Sequence, residues 1–120
     1  MENLPDIKNQ LNSKELFDAF KAQLRKDFEQ CNFSADFVGA LVPDYASMHE
    51  KIVVELQLHE KTANSSLMKL LNRIDIGEAQ LKRYLQENKN DNHFAVIAEL
   101  IIKRILQKVV IKQFYKSKES

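Results

Sequence analysis

The apolar residues of this chain recur mainly three and four apart, the spacing of one face of an α-helix. From Ser13 onward they are Phe17, Phe20, Leu24, Phe28 and Cys31, a stripe that predicts one long helix with this face in the core. Asn12 with Glu15 three residues later has the form of a capping box, and Leu11 and Leu16 flank it as a hydrophobic staple, so the helix is expected to start at Ser13. Residues 1–11 lack this periodicity and contain Pro5; they read as a loosely ordered lead. Ser34 is placed to cap a short second helix through Asp36, Phe37 and Val38, with a bend before Pro43 because proline disfavours αR in the residue ahead of it.

Beyond Asp44, the residues Tyr45, Met48, Ile52, Leu56 and His59 return at helical spacing, while Val54, Leu56 and Leu58 alternate as a strand would. Length and continuity favour helix, and a short strand at 52–58 stays open as the alternative, since β-branched residues are frequent there. Asn64, Ser65 and Ser66 interrupt the pattern, and Leu67, Met68, Leu70 and Leu71 resume it, which predicts two helices. Asp75 with Glu78 repeats the capping-box form ahead of Leu81, Tyr84 and Leu85. The run Asn88-Lys89-Asn90-Asp91-Asn92 is a loop, because Asn and Asp side chains compete for their own backbone.

The last helix is predicted from about His93 to Tyr115 and carries two apolar stripes. One runs through Phe94, Ile97, Ala98, Ile101, Ile105 and Val109; the other through Val96, Leu100, Ile111 and Phe114, with Glu99 and Lys103 on one side between them and Arg104 and Lys108 on the other. The first has the length to face the domain's own core. The second then needs either more helices or a second chain, so Val96, Leu100, Ile111 and Phe114 are the candidate self-association surface.

Composition narrows the class. With 120 residues, 44% apolar and 29% charged, the chain has the balance of one ordinary folded domain. Two Gly and two Pro are too few for the turns of a many-stranded β fold. The fold class predicted is all-α: a compact bundle of five or six helices spanning 12–116, with a long apolar C-terminal helix near the centre and a polar tail at 117–120. Phe17, Phe20, Leu24, Phe28, Ile101 and Ile105 are the expected core.

A single cysteine has no internal disulfide partner, the N-terminus lacks a basic lead into an apolar run, and the most apolar segment, 94–111, is broken by Glu99, Lys103, Arg104 and Lys108. A cytoplasmic protein without a membrane partner is therefore expected. Net charge is +1, but residues 1–60 carry 6 basic against 11 acidic residues and residues 61–120 carry 12 against 6. Two halves lying against each other would partly neutralise; a basic docking face is the other reading of the same asymmetry.

Catalytic chemistry finds little support. His49 and His59 stand about 15 Å apart along one helix, and Glu55 with His59 supplies at most two metal ligands. No serine has a nucleophile-elbow setting, Cys31 lies in an apolar stripe, and Gly77 is isolated from any phosphate-loop pattern. Neither metal nor cofactor is expected, and no catalytic residue is assigned.

One stretch has internal structure of a functional kind: Leu70-Leu71-Asn72-Arg73-Ile74-Asp75-Ile76-Gly77-Glu78-Ala79-Gln80-Leu81-Lys82-Arg83-Tyr84-Leu85. It resembles a DNA-binding helix-turn-helix. The resemblance implies that Leu71, Ile76, Leu81 and Leu85 fill the apolar positions, and that Gln80, Lys82 and Arg83 face DNA, with Lys108, Lys112, Lys116 and Lys118 available to phosphates. Asp75 stands where that family usually has glycine, and Asp75 and Glu78 add negative charge near the phosphates. The segments Leu70-Leu71-Asn72-Arg73-Ile74-Asp75-Ile76 and Leu100-Ile101-Ile102-Lys103-Arg104-Ile105-Leu106-Gln107-Lys108 are also similar to small helical bacterial proteins with no attached activity, which implies an all-α fold and a bacterial cytoplasm. The function expected is a non-catalytic interaction or accessory protein, binding a protein partner or itself as a homodimer; the alternative is a helix-turn-helix-like nucleic-acid-binding protein.

Overall fold

A computed structural model of the chain describes residues 13–60, 66–89 and 91–119, with the backbone alone at 60, 66 and 114–119. The predicted lead at 1–11, and Asn12, lie outside the described residues. Among those described there are five α-helices and one short 3-10 helix, and no strand. We number them α1 (Lys14–Gln30), α2 (Tyr45–Glu60), α3 (Ser66–Arg73), α4 (Glu78–Glu87) and α5 (His93–Glu119), with the 3-10 turn Asp36–Ala40 between α1 and α2. The radius of gyration is 14.3 Å, close to the ~14 Å of a folded domain of this length.

The cap of α1 is Ser13 itself, whose Oγ accepts from the Leu16 N–H at 3.3 Å, so the first turn begins one residue later than a cap at Asn12 implies. Phe17, Phe20, Leu24, Phe28 and Cys31 are all buried, as are Ile101 and Ile105. Ser34 Oγ accepts from Asp36 N–H at 3.4 Å and turns the chain into the 3-10 helix. Asp44 Oδ2 accepts from Ser47 N–H at 2.9 Å and caps α2, in which 52–58 is helical. The β-branched residues there give way to helix because Met48, Ile52 and Leu56 bury together on one face.

Two helices end in the same way, and neither uses glycine. At the end of α1, Asn32 takes φ 64°, its N–H donates to Glu29 O, and the Phe33 N–H reaches back to Phe28 O at 2.9 Å. At the end of α3, Asp75 takes φ 69°, its N–H donates to Asn72 O, and the Ile76 N–H reaches Leu71 O at 2.8 Å. Both are Schellman closures, which need one left-handed residue and an apolar contact across the turn. Phe33 supplies that contact edge-on to Phe28, at 5.3 Å between ring centroids, and Ile76 and Leu71 are buried together. Asp75 is thereby committed to closing α3. It cannot also hold the extended conformation of an N-cap, and α4 starts instead from Gly77, at φ −77° and ψ 157°, with no side-chain cap.

Helix α5 packs against α1, α2 and α4, while α1 also meets α3 and the 3-10 turn. His49 Nε2 donates to the Ala95 carbonyl at 2.7 Å and pins α2 to the first turn of α5. Asn92 Oδ1 accepts from Phe94 N–H at 2.7 Å and caps α5. Enclosure by three helices changes the reading of the second stripe. Val96 and Leu100 are only 3% exposed within the single chain, and Ile102 and Leu106 between the stripes are buried too, whereas Ile111 is 53% exposed. The Phe114 side chain lies outside the described residues. The four positions do not make one free surface, because neighbours within the chain cover the helix around most of its first half. The helix also runs on to Glu119, through the segment read as a polar tail.

These burials separate the stripe experimentally. Leu100→Glu and Ile101→Glu should both abolish the folded state, since an unpaired buried charge costs several kcal/mol, a large share of the ~5–15 kcal/mol that holds a domain. Ile111→Glu should stay within ~0.5 kcal/mol of wild type. Circular dichroism melts of the three variants provide the comparison.

Candidate functional site

The chemistry of the interior centres on Asp27, a position that sequence reading passed over. It follows Leu24 by three residues and precedes Cys31 by four, so the helical period points it into the core with the apolar stripe. A charge inside an apolar stripe was the available signal. Its side chain is 1% exposed and needs partners to be tolerated there. Arg73 Nε donates to Oδ1 at 2.8 Å, Gln23 Nε2 donates to the same oxygen at 3.1 Å, and Lys108 Nζ stands 3.8 Å from Oδ2. Lys108 also donates to the Arg73 carbonyl at 3.4 Å, at the open end of α3. One carboxylate thus draws in α1, α3 and α5.

The cluster extends outward on two sides. Gln23 accepts from Lys112 Nζ through Oε1 at 3.0 Å, which holds that lysine over the outer seam of α1 and α5. Arg104 lies 3.8 Å from Asp75 and also donates to Gln107 Oε1 at 2.8 Å. Of the four lysines expected to reach phosphates, Lys108 is therefore held inside the chain, Lys112 is exposed with one hydrogen bond to Gln23, and the side chains of Lys116 and Lys118 lie outside the described residues.

The stretch 70–85, which resembles a helix-turn-helix in sequence, has a definite geometry. The eight residues of α3 bury Leu70 and Leu71, the turn buries Ile74 and Ile76, and α4 follows with none of its ten residues buried. Lys82 and Arg83 are exposed and Gln80 is half-buried, so all three are carried by a helix that lies on the surface. Asp75 occupies the left-handed turn position that glycine fills in the resembled motif, and its charge is partly offset by Arg104. Glu78 stays exposed in the first turn of α4.

Other titratable groups act as packing residues. Burial pushes the Cys31 thiol up, against the pull of Arg73, so it is held as a thiol within the core. His59 stacks on Phe33 at 3.7 Å between centroids, and burial raises Glu55 while His59 opposes the rise. Tyr45 stacks on His49, and burial, helped by Glu99, pushes its phenol up to about 12. Among the described residues, no three His, Cys, Asp or Glu groups converge on a metal position, and no helix is long and apolar enough to cross a membrane.

No protein-family model, curated protein or solved structure matches the chain.

Two predictions follow from the buried groups. Asp27→Ala should cost about 3 kcal/mol, because Arg73 and Lys108 lose their shared anion. Replacing Asp27 and Arg73 together by Leu and Met should recover most of that loss in chemical denaturation, whereas additive damage would mean that packing and not charge pairing holds the centre. For Tyr45, the folded state keeps a proton that the unfolded chain releases from its ordinary value of 10.0, so stability should fall as pH rises from 10 towards about 12. Tyr45→Phe should flatten that alkaline decline; an unchanged slope would assign it to other groups.

Proposed function

We propose that the chain is a non-catalytic domain whose work is to bind another protein through its outer helical surface. The observation that supports this is on α2. Its inner face, Met48, Ile52 and Leu56, is committed to the core, yet Val54 and Leu58, one turn apart on the outside, are 48% and 55% exposed. Large apolar groups paired at i and i+4 on an outer face form a ridge that a partner helix or groove covers. Homodimerisation through the last helix has less behind it than the sequence implied, because Val96 and Leu100 are buried within one chain.

The second reading is nucleic-acid binding through α4, favoured by the left-handed Asp75 at the turn and by the exposure of Lys82 and Arg83. Glu78 and the near-neutral net charge of +1 count against it.

The decisive experiment is purification of the native protein from its host after mild crosslinking, with bound protein and bound nucleic acid read separately. We expect a defined protein partner, lost at least about ten-fold in the Val54→Lys, Leu58→Glu double variant while its melting curve stays unchanged. Recovery of nucleic acid alone would sink the proposal. So would submicromolar binding of duplex DNA with a steep salt dependence that Lys82→Ala and Arg83→Ala reduce.

A further inference from the structure

A shallow groove of about 330 Å³ runs along the outer seam of α1 and α5, away from the α2 ridge. Its floor is made of short apolar side chains, Ala19, Ala22 and Val109, and its edges are Lys26, Lys112 and the amides of Gln23 and Gln113. Among the described residues no carboxylate lines it.

The groove also has one fixed element. Gln23 is oriented by Asp27, to which its Nε2 donates, and this leaves its Oε1 turned to Lys112 at 3.0 Å. Lys112 is exposed, yet it is tied through Gln23 to the buried carboxylate, so part of the entropy of positioning its ammonium is already lost before any partner arrives. Two of its three donors stay free.

We propose that this groove is a docking site for an acidic helical segment of a partner protein, whose carboxylates meet Lys26 and Lys112 while a short aliphatic side chain rests on Ala19, Ala22 and Val109. The shape and charge are those of helix-in-groove recognition, in which small floor residues let the incoming helix approach closely and the basic edges select its sequence. Nucleic acid fits less well. Among the described lining residues none is aromatic, and two lysines at the edge neutralise few phosphates. The site is separate from Val54 and Leu58, and each surface can succeed or fail alone.

The test uses the full chain and a fluorescein-labelled amphipathic peptide about fifteen residues long, or roughly four helical turns, with Glu flanking an Ala/Leu face. A second peptide carries Gln at every Glu, and labelled duplex DNA is the third probe. Anisotropy titrations should give binding of the acidic peptide, weakened at least about ten-fold by the Gln peptide, by the Lys26→Glu, Lys112→Glu double variant, and by Ala22→Leu, which fills the floor without changing charge. The Val54→Lys, Leu58→Glu variant should bind the peptide normally, so loss of the α2 reading would leave this result standing. Absence of peptide binding, equal binding of the Gln peptide, indifference to Ala22→Leu, or tighter binding of DNA would each overturn the proposal. A wild-type dimer in light scattering that Lys112→Glu dissociates would overturn it as well, by making the occupant a second copy of this chain.

Discussion

Asp27 is buried in an otherwise apolar core, and a carboxylate there is tolerable only if cations and donors come to it. That requirement reaches into three helices. Arg73 must stand at the last turn of α3, Lys108 must come from the far half of α5, and Gln23 must lie one turn back on α1. Burying an ion pair adds little net stability compared with an apolar replacement, but it penalises every arrangement in which the partners fail to meet. In a core of interchangeable aliphatic side chains, such a penalty discriminates among helix registers that packing alone would treat as nearly equal.

The same centre explains how the surface is arranged. Lys108, drawn inward by Asp27, also serves the carbonyl of Arg73, so the end of α3 is held while the turn after it bends back. The Schellman closure at Asp75 then sends the chain into α4 without a side-chain cap, and Arg104 stands beside the turn from α5. Helix α4, with no buried residue, rests on this support and contributes little to the core. On the opposite flank, Gln23 carries the order of the buried cluster out to Lys112. Residues that specify the fold and residues offered to solvent are thus distinct sets joined by a few hydrogen bonds.

Much of the architecture was legible because it depends on local periodicity. The α1 stripe, the 3-10 turn after Ser34 and the break between α3 and α4 follow from spacing and turn chemistry over a few residues, whereas at 52–58 spacing left helix and strand open and the burial of Met48, Ile52 and Leu56 decided it. Local rules failed where one residue faced two demands. Asp75 matched a capping box, but closing α3 required a left-handed residue at that place, and the same backbone cannot be both left-handed and an extended cap. Asn32 does the same work after α1, where asparagine's tolerance of this conformation replaces glycine.

The sequence by itself determined that this chain is helical, where α5 begins, and which face of α1 is buried, because helix geometry turns a spacing of three and four into a face without reference to the rest of the molecule. It could not say how many neighbours α5 has. Two stripes on one helix are compatible with a partner chain or with further helices of the same chain, and only packing decided that Val96 and Leu100 face inward while Ile111 does not. Nor could periodicity find the cationic partners of Asp27, Arg73 and Lys108, which lie 46 and 81 positions away in the chain. Contacts at such separations arise when helices are laid side by side, and the surfaces left over, the α2 ridge, α4 and the groove beside Lys112, exist only once that has happened.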